Sequence, residues 1–465
     1  MSEYDAVVVG AGPNGLAAAA ELTRAGERVL VVERAPQIGG GTRTAELTLP
    51  GFLHDVCSAI HPLGLASPFF REIGVGDWIH PEIPVTHPLD GGRVVALHRS
   101  ITETAEGLGT DAPQYRRLVE RLVADADELV SEVLAPMRMP PRHPVTLARF
   151  GLGGLMSASR AARRLETEEG RALYAGLVAH AIAPFGSPMT HAVAKLLAVA
   201  AHAYGWPLAR GGSQRLAEAL AEKVTDGGGS IETGHDIRSL DDLPGARSVL
   251  LDVMPDAALR IAGSRIGRQA RRRMERWKSG PGVFKVDWAL DAPIPWTDPA
   301  SGRAGTVHVG GTYEEVAAAE SLTHSGEHPE RPFVIVAQQS LFDPTRAPAG
   351  KQVAWSYCHV PAGSGHDMTD VIEAQIERFA PGFRDLILDR HVMGPAALAE
   401  HNPNYVGGDI GGGAFSVGRF LRVGGSRNYR LGEGLYICSS AAPPGAGVHG
   451  MAGYHAARAA IAARR

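Results

Sequence analysis

The sequence predicts an α/β protein that contains a doubly wound, Rossmann-like nucleotide-binding domain. The first observation is the apolar run Ala6–Val9, which is followed by a Gly-x-Gly-x-x-Gly motif and an Ala-rich helical segment. The second is another apolar run, Arg28–Val32, which ends at Glu33. These segments make one βαβ unit of about 30 residues. The third is a predicted strand, Leu435–Cys438, with a glycine-rich loop and a helix after it.

Composition excludes several functional classes. The 465 residues suggest two to three domains, and the net charge of −4 gives no reason to expect nucleic acid as a partner. Cys57, Cys358 and Cys438 lie far apart without a CxxC pair, which indicates neither a zinc ribbon nor a redox dithiol and fits a reducing compartment. No HExxH motif occurs, so no metal site is predicted. With no signal-peptide pattern and no long apolar run, a cytoplasmic location is expected.

The first glycine motif predicts a dinucleotide site. Gly10 permits the tight turn, Gly12 lets the backbone approach a pyrophosphate, and Gly15 allows close packing of helix on strand. The pyrophosphate would lie at the helix N-terminus. Glu33, roughly 20 residues further on, is expected to accept the ribose hydroxyls and to repel a 2′-phosphate. The contacts predicted from this part of the chain are Gly10, Gly12, Pro13, Asn14, Gly15, Glu33 and Arg34.

Two further segments indicate which dinucleotide is bound. The segment Gly39–Arg43 fits the GG-x-x-[RST] pattern that many flavoproteins carry at this place. The glycine-rich loop that ends at Gly450 precedes the last helix, whose N-terminus would stabilise negative charge on a reduced flavin. The predicted cofactor is therefore FAD. The additional contacts predicted for it are Gly40, Gly41, Thr42, Arg43, Gly447, Val448 and His449.

Four segments together resemble the phytoene desaturase-related flavoproteins: Asp5–Leu16, Gly39–Arg43, Gly211–Leu220 and Pro444–Met451. Within that group the chain more closely resembles bacterial NAD(P)/FAD-dependent oxidoreductases similar to pyridine nucleotide-disulphide oxidoreductase domain-containing protein 2. The resemblance implies a discontinuous FAD-binding domain with an inserted α+β substrate domain, and it implies an adenine-side contact at Ile237.

The expected domain organisation on that basis has five segments. The FAD-binding domain would comprise residues 1–65, 208–265 and 426–465. The inserted domain would have a helical part at 66–207 and an antiparallel-sheet part at 266–425. Three apolar segments, Lys285–Ala289, Val334–Ala337 and Val353–Tyr357, predict strands of that second sheet.

The predicted activity is that of an FAD-dependent oxidoreductase, a dehydrogenase or desaturase of the phytoene desaturase-like type. Hydride would pass from an apolar organic substrate to flavin N5, with His61 and His449 as candidates for proton transfer. Because no second Gly-x-Gly-x-x-Gly directly follows a predicted strand, oxygen or a quinone is expected to reoxidise the flavin. The alternatives are a flavin-dependent isomerase or an amine oxidase of the same fold, and a non-catalytic flavin-bearing interaction protein.

Helical periodicity predicts two further features. Apolar residues at helical spacing predict one helix over Tyr115–Leu134. Leu147–Arg164 combines apolar residues with three arginines near its end, which is typical of a basic amphipathic helix. That segment predicts either peripheral contact with a membrane or a helix that packs on the core with a solvated basic face.

Overall fold

The computed structural model describes residues 3–420 and 425–464. The strands are β1 (Tyr4–Val9), β2 (Val29–Glu33), β3 (Thr44–Glu46), β4 (Leu53–Asp55), β5 (Trp78–Ile79), β6 (Ile83–Leu89), β7 (Arg93–Leu97), β8 (Leu208–Ala209), β9 (Ser230–Thr233), β10 (Ala246–Leu251), β11 (Gly282–Leu290), β12 (Ala304–Val309), β13 (Val334–Ala337), β14 (Gln352–Val360), β15 (Ile387–Met393), β16 (Arg430–Gly432) and β17 (Leu435–Ile437).

The helices are α1 (Pro13–Arg24), α2 (Pro62–Ala66), α3 (Pro68–Ile73), α4 (Ile101–Glu106), α5 (Ala112–Ala124), α6 (Ala126–Val133), α7 (Pro144–Gly154), α8 (Ala158–Ala162), α9 (Glu168–Ala179), α10 (Thr190–Ala203), α11 (Gln214–Asp226), α12 (Pro255–Ala262), α13 (Arg268–Glu275), α14 (Tyr313–Ser325), α15 (Thr369–Glu377), α16 (Pro395–His401), α17 (Val417–Phe420) and α18 (Met451–Ala462).

The first sheet has the strand order β16-β17-β10-β1-β2-β9. Its pairs are parallel except for β16 with β17. The central strands β1 and β2 are apolar almost throughout because both faces of a parallel sheet are covered. Helix α1 is buried along nearly its whole length and packs against α18 and α11. The sheet therefore joins strands from the N-terminal, middle and C-terminal parts of the chain.

The second sheet has the strand order β15-β11-β14-β13-β12-β6-β7. Its pairs are antiparallel except for β12 with β6. The three strands predicted here are present as β11, β13 and β14, and the predicted α/β fold class is confirmed. The domain boundaries stay a prediction. The segment 66–207, which was predicted as helical, also contributes β6 and β7. The sequence did not predict β6 because it contains Pro84 and Pro88, and proline is disfavoured inside a strand.

The structure corrects both helix predictions. Two helices, α5 and α6, replace the single helix predicted over Tyr115–Leu134, because the backbone leaves helical geometry at Asp125. The segment Leu147–Arg164 is not one amphipathic helix either. Leu152 (ψ 107°) and Gly153 (φ 83°) interrupt α7, and a separate short helix, α8, begins after Ser157.

Candidate functional site

The loop between β1 and α1 has the geometry that its glycines predict. Gly10 adopts φ +103°, which is a left-handed conformation that glycine tolerates best. A Cβ on Gly15 would lie 2.0 Å from the carbonyl oxygen of Gly10, so only glycine fits at that position. Pro13 is the first residue of α1, where its missing N–H costs no hydrogen bond. The free N–H groups of α1 therefore point toward the end of the sheet where a pyrophosphate can bind.

Glu33 holds this loop closed from the end of β2. Its Oε2 accepts a hydrogen bond from the Ala11 amide at 2.7 Å, and its Oε1 accepts one from the Ala35 amide at 2.8 Å. The Arg43 guanidinium also lies 3.4 Å from Oε1. A carboxylate has about four acceptor positions, so Glu33 keeps capacity for ligand hydroxyls. The sequence predicted only that Glu33 contacts the ribose of the ligand. The structure shows that Glu33 also holds the loop through hydrogen bonds to two backbone amides.

The second glycine segment packs directly on the first. A Cβ on Gly40 would lie 3.0 Å from the Cα of Gly12, and a Cβ on Gly41 would lie 2.2 Å from the hydroxyl of Tyr405. Thr42 is fully buried, and its hydroxyl donates to the Gly39 carbonyl at 2.8 Å. Glycines at 40 and 41 thus leave room for close approach of two backbones and an aromatic side chain.

One cavity of about 1450 Å³ extends along these segments. Most of the predicted site residues line it: Gly10, Gly12, Pro13, Asn14, Glu33, Arg34, Gly40, Gly41, Arg43, Ile237, Gly447 and Val448. Ile237 also packs beside Val7, Leu30 and Val32, at the β2 side of the first sheet. The C-terminal glycine loop also borders the cavity. This argues against the alternative of a non-catalytic flavin-bearing interaction protein, for which that loop would be closed off from any cavity.

The wall of the cavity does not include Gly15, Thr42, His61 or His449. Gly15 and Thr42 act through backbone packing. His61 is buried and hydrogen bonds through Nε2 to the Ser213 hydroxyl at 2.8 Å. His449 is buried, and its Nδ1 accepts a hydrogen bond from the Met451 amide at 3.1 Å. Burial lowers the pKa of each histidine to about 4. Both are therefore neutral near pH 7, and their part in proton transfer stays a prediction.

Asp252 is the main residue of the site that the sequence reasoning missed. It follows β10 directly, lines the cavity, and accepts a hydrogen bond from the Gly15 amide at 2.9 Å. Burial raises the pKa of Asp252 to about 7, against the effect of the Gly15 hydrogen bond and together with the charge of Glu33. The available signal was its position: an acid at the carboxyl end of a parallel strand next to β1 faces the usual ligand crevice.

The far half of the cavity is apolar. Its walls come from the loop before α7, from α7 to α10, and from the second sheet. The apolar residues that line this half are Met137, Leu147, Phe150, Leu152, Leu155, Ile182, Met189, Val193, Leu196, Leu197, Trp206, Ile335, Trp355 and Tyr357. Leu152 and Leu155 are also exposed to solvent, at 77% and 58%, so the cavity reaches the surface beside them.

A buried charge cluster borders this apolar half. Lys285 on β11 lines the cavity and hydrogen bonds to Asp287, which is fully buried. Its ammonium lies 5.9 Å from the centre of the Trp355 ring. The Nδ1 of His54 lies 3.7 Å from Asp287, and burial lowers the pKa of His54 to about 4. The sequence reasoning missed Lys285, because a lone lysine inside a predicted strand carries no motif.

The geometry fits FAD. The cavity is larger than the roughly 300–1,000 Å³ of an ordinary ligand pocket, as expected where a dinucleotide and a substrate share one space. The three glycines leave the α1 N-terminus bare for a pyrophosphate. Two buried polar atoms at this end, Asn14 Oδ1 and Arg43 Nε, have no hydrogen-bond partner among the described residues. Buried polar atoms are normally satisfied, so both are suited to a polar ligand.

Comparison with known proteins agrees with this site. Residues 8–73 match the model of the NAD(P)-binding Rossmann-like domain. Pyridine nucleotide-disulfide oxidoreductase domain-containing protein 2 of Rattus norvegicus is 27% identical, and the match covers 98% of this chain and 93% of that protein. Phytoene dehydrogenase of Streptomyces griseus is 25% identical, with 76% of this chain and 72% of that protein covered. The structure of putrescine oxidase bound to putrescine has a TM-score of 0.65 at 18% identity, with 99% of both chains covered.

The fold and the cavity, together with these relatives, define an FAD-type oxidoreductase with a Rossmann-like nucleotide-binding domain. More particularly, the chain is homologous to pyridine nucleotide-disulfide oxidoreductase domain-containing protein 2 and to the phytoene desaturases, and the predicted resemblance is confirmed. The likeness to putrescine oxidase, at 18% identity, concerns the fold alone.

Proposed function

We propose that the protein is an FAD-dependent dehydrogenase or desaturase that oxidises an apolar organic substrate. The observation that supports this function is the continuity of the cavity: one space joins the glycine segments around Gly12 and Gly40 to an apolar chamber. A substrate in that chamber is shielded from water and lies next to the cofactor site. FAD, when bound, supplies the hydride acceptor at its N5 position.

The proposed cofactor contacts follow the cavity wall. The free N–H groups at the start of α1, with Gly12 beneath them, hold the pyrophosphate. Glu33 accepts from the ribose, while Arg43, already 3.4 Å from Glu33, faces the phosphates through its unpartnered Nε. Ile237 packs at the adenine end, and Val448 lies beside the flavin end. His61 and His449 position the loops that carry these contacts.

The proposed electron acceptor is oxygen or a quinone. Only the Gly-x-Gly-x-x-Gly at Gly10–Gly15 directly follows a strand; the second copy, Gly445–Gly450, lies in the C-terminal loop that the proposal gives to the flavin end of the same FAD. The three cysteines Cys57, Cys358 and Cys438 are buried and unpaired. Burial raises the pKa of all three thiols, so thiolate chemistry of the disulfide-reductase kind has no support at these positions.

A further part of the proposal is that the substrate enters from a membrane surface. Four of the large apolar side chains with high exposure lie close together in sequence, and the last two of them also line the cavity: Met139, Val145, Leu152 and Leu155. Exposed arginines flank them at positions 138, 142, 160, 163 and 164. An apolar patch with a basic rim suits the surface of an anionic bilayer. No helix in the described ranges 3–420 and 425–464 is long and apolar enough to cross a membrane.

Anaerobic mixing tests the reaction class. The FAD-loaded protein is mixed separately with decan-1-ol, an unsaturated isoprenoid hydrocarbon or putrescine, and the absorbance band of the oxidised flavin is recorded over time. Bleaching by an apolar probe that persists until oxygen or a quinone is added supports the proposal. Bleaching by putrescine alone would favour an amine oxidase. Turnover of an unsaturated probe without bleaching would favour an isomerase.

A matched pair of variants locates the substrate. Leu196→Asp places a charge in the apolar wall of the chamber. It is expected to weaken binding of the apolar probe at least tenfold, since burying an uncompensated carboxylate is costly. Leu388→Asp changes an exposed leucine on the outer strand β15 and serves as the control. Equal effects of the two substitutions would contradict the assignment of the chamber.

Vesicle sedimentation tests the membrane contact. Vesicles with about 30% phosphatidylserine should retain the protein, and Leu152→Asp with Leu155→Asp should release it, while Leu388→Asp should not. Charge reversal at Arg160, Arg163 and Arg164 should weaken binding to anionic vesicles only. Retention that none of these substitutions changes would contradict the membrane proposal.

A further inference from the structure

Three buried histidines form a row that leads away from the substrate chamber; we name His180, His308 and His87 the histidine row. His180 follows α9 directly and lines the cavity. Its Nε2 lies 3.0 Å from the Nε2 of His308 on β12. His87 on β6, the strand paired with β12, continues the row, and its Nε2 donates to the Gly311 carbonyl oxygen at 2.6 Å.

A glycine on α9 makes room for the two inner histidines. A Cβ on Gly176 would lie 2.3 Å from the Nδ1 of His308 and 3.0 Å from the Nδ1 of His87. Both Nδ1 atoms are buried and have no partner among the described residues. Because both atoms lie near one common point, their separation is within the reach of one bridging water molecule. With such a water, the ring nitrogens connect the cavity wall to Gly311.

The Gly311 end of the row lies close to the protein surface. A Cβ on Gly311 would be 2.2 Å from the Oε2 of Glu315, a half-buried carboxylate that also pairs with Arg378. His87 is therefore one backbone carbonyl away from a surface carboxylate. Two further groups lie near the row: His359 and Glu320, which are joined by a hydrogen bond of 2.6 Å.

Burial keeps the three histidines of the row neutral. Burial lowers the pKa of His180 to about 3, with a further contribution from His359. Burial lowers the pKa of His87 to about 4, while the Gly311 carbonyl and Glu315 act in the opposite direction. Burial, then His180 and His87, place the pKa of His308 well below its usual range. Each ring therefore keeps one unprotonated nitrogen near neutral pH.

We propose that His180 is the proton acceptor of the substrate chamber and that His308 and His87 move the accepted proton toward the surface. The Gly311 carbonyl can only accept, so it holds the proton of His87 on Nε2 and leaves Nδ1 as an acceptor for His308 through the water. His308 then carries its proton on Nδ1 and accepts from His180 at Nε2. The remaining ring nitrogen of His180, Nδ1, is left unprotonated on the cavity side.

The inference rests on the proposed function and names a substrate class for it: compounds that lose a proton as well as a hydride, such as alcohols. The C–H bond breaks and its electron pair leaves as hydride to the oxidised flavin. The O–H bond breaks, its electron pair forms the C=O bond, and its proton goes to His180 Nδ1. His180 then gives its Nε2 proton to His308 Nε2, and His308 gives its Nδ1 proton through the water to His87 Nδ1. His87 thereby holds a proton on each ring nitrogen, and the Gly311 carbonyl and Glu315 favour this charged form.

Nitrogen NMR of the FAD-loaded protein tests the row without any substrate. The protein is labelled with 15N-histidine, and His180→Gln and His308→Gln assign the signals. We expect His180 to carry its proton on Nε2, with Nδ1 unprotonated, and to stay neutral down to about pH 5 because of its lowered pKa. A neutral ring that carries its proton on Nδ1 instead of Nε2 at pH 7 would overturn the proposal.

Flavin reduction tests the role of the row in chemistry. With decan-1-ol as probe, His180→Gly should slow anaerobic flavin bleaching roughly 100-fold or more at unchanged probe affinity, and added imidazole should restore part of the rate. His308→Leu and His308→Gln should both slow it, and full speed in the glutamine variant would contradict proton transfer through His308. His191→Gln is the control, since His191 is buried, bonds to Tyr174, and does not line the cavity.

The two experiments fail in distinguishable ways. If no probe bleaches the wild-type flavin, the proposed function is refuted, and the NMR measurement still decides whether the tautomers of the row are as proposed. If a probe bleaches the flavin and His180→Gly retains the wild-type rate, the row has no part in the reaction while the proposed function stands.

Discussion

Substitution of Asp252 by asparagine is expected to stabilise the FAD-free protein at alkaline pH. The folded-state pKa of about 7 is raised above the ordinary 3.8, because burial disfavours the charged form. The protonated group contributes stability that is fully present below about pH 4 and is lost as the pH rises through about 7. The shift is about 3 pKa units at 1.36 kcal/mol each, so ionisation of Asp252 costs about 4 kcal/mol at pH 8.

The assay is urea denaturation of the FAD-free wild type and Asp252→Asn at several pH values. Asparagine keeps an acceptor for the Gly15 amide, so the hydrogen bond at 2.9 Å survives. The difference in unfolding free energy, variant minus wild type, should rise by about 3 kcal/mol between pH 5 and pH 8. Parallel pH profiles for the two proteins would refute the reasoning, whatever the constant offset between them.

Three further substitutions follow from contacts in the structure. Gly15→Ala should abolish FAD retention on gel filtration, because its Cβ would lie 2.0 Å from a backbone oxygen, whereas Gly302→Ala, with no heavy atom within 4 Å, should retain FAD. Glu33→Ala should weaken FAD binding in a fluorescence titration by about tenfold or more, since it removes a ribose acceptor and two loop hydrogen bonds. Asp55→Asn should cost about 3–5 kcal/mol of unfolding free energy at pH 7, because the fully buried Arg346, 2.9 Å away, would lose its counterion. Burial opposes ionisation of Asp55, but Arg346 and the Ser213 amide outweigh it and lower its pKa, so this loss should shrink as the pH falls below about 4.

The first sheet was predictable from sequence because its information is local. A strand, three glycines, a helix and Glu33 lie within about 30 residues, and each has a separate physical reason to be there. The same holds for Val334–Ala337, where an apolar run and the observed strand coincide. β6 was not predictable, because Pro84 and Pro88 oppose a strand locally and only its pairing with β12 and β7 outweighs them.

The apolar half of the site was not predictable, because it depends on which distant segments meet. Lys285, Asp252 and His180 carry no motif, and each gains its importance from neighbours that lie far away in sequence. His61 shows the converse. Its place after the second glycine segment predicts a role at the flavin, while in the structure its Nε2 bonds to the Ser213 hydroxyl and its side chain does not line the cavity. Sequence order places a residue near a site, but the side-chain direction is decided by packing.

The break in α7 connects this packing to the proposed entry of substrate. A continuous amphipathic helix over Leu147–Arg164 would point its apolar face inward and cover the chamber. The non-helical backbone at Leu152 and Gly153 instead turns Leu152 and Leu155 so that they line the cavity and meet solvent at once. The exposed apolar patch and the mouth of the chamber are therefore one structure, and a membrane that covers the patch would also cover the opening through which an apolar substrate enters.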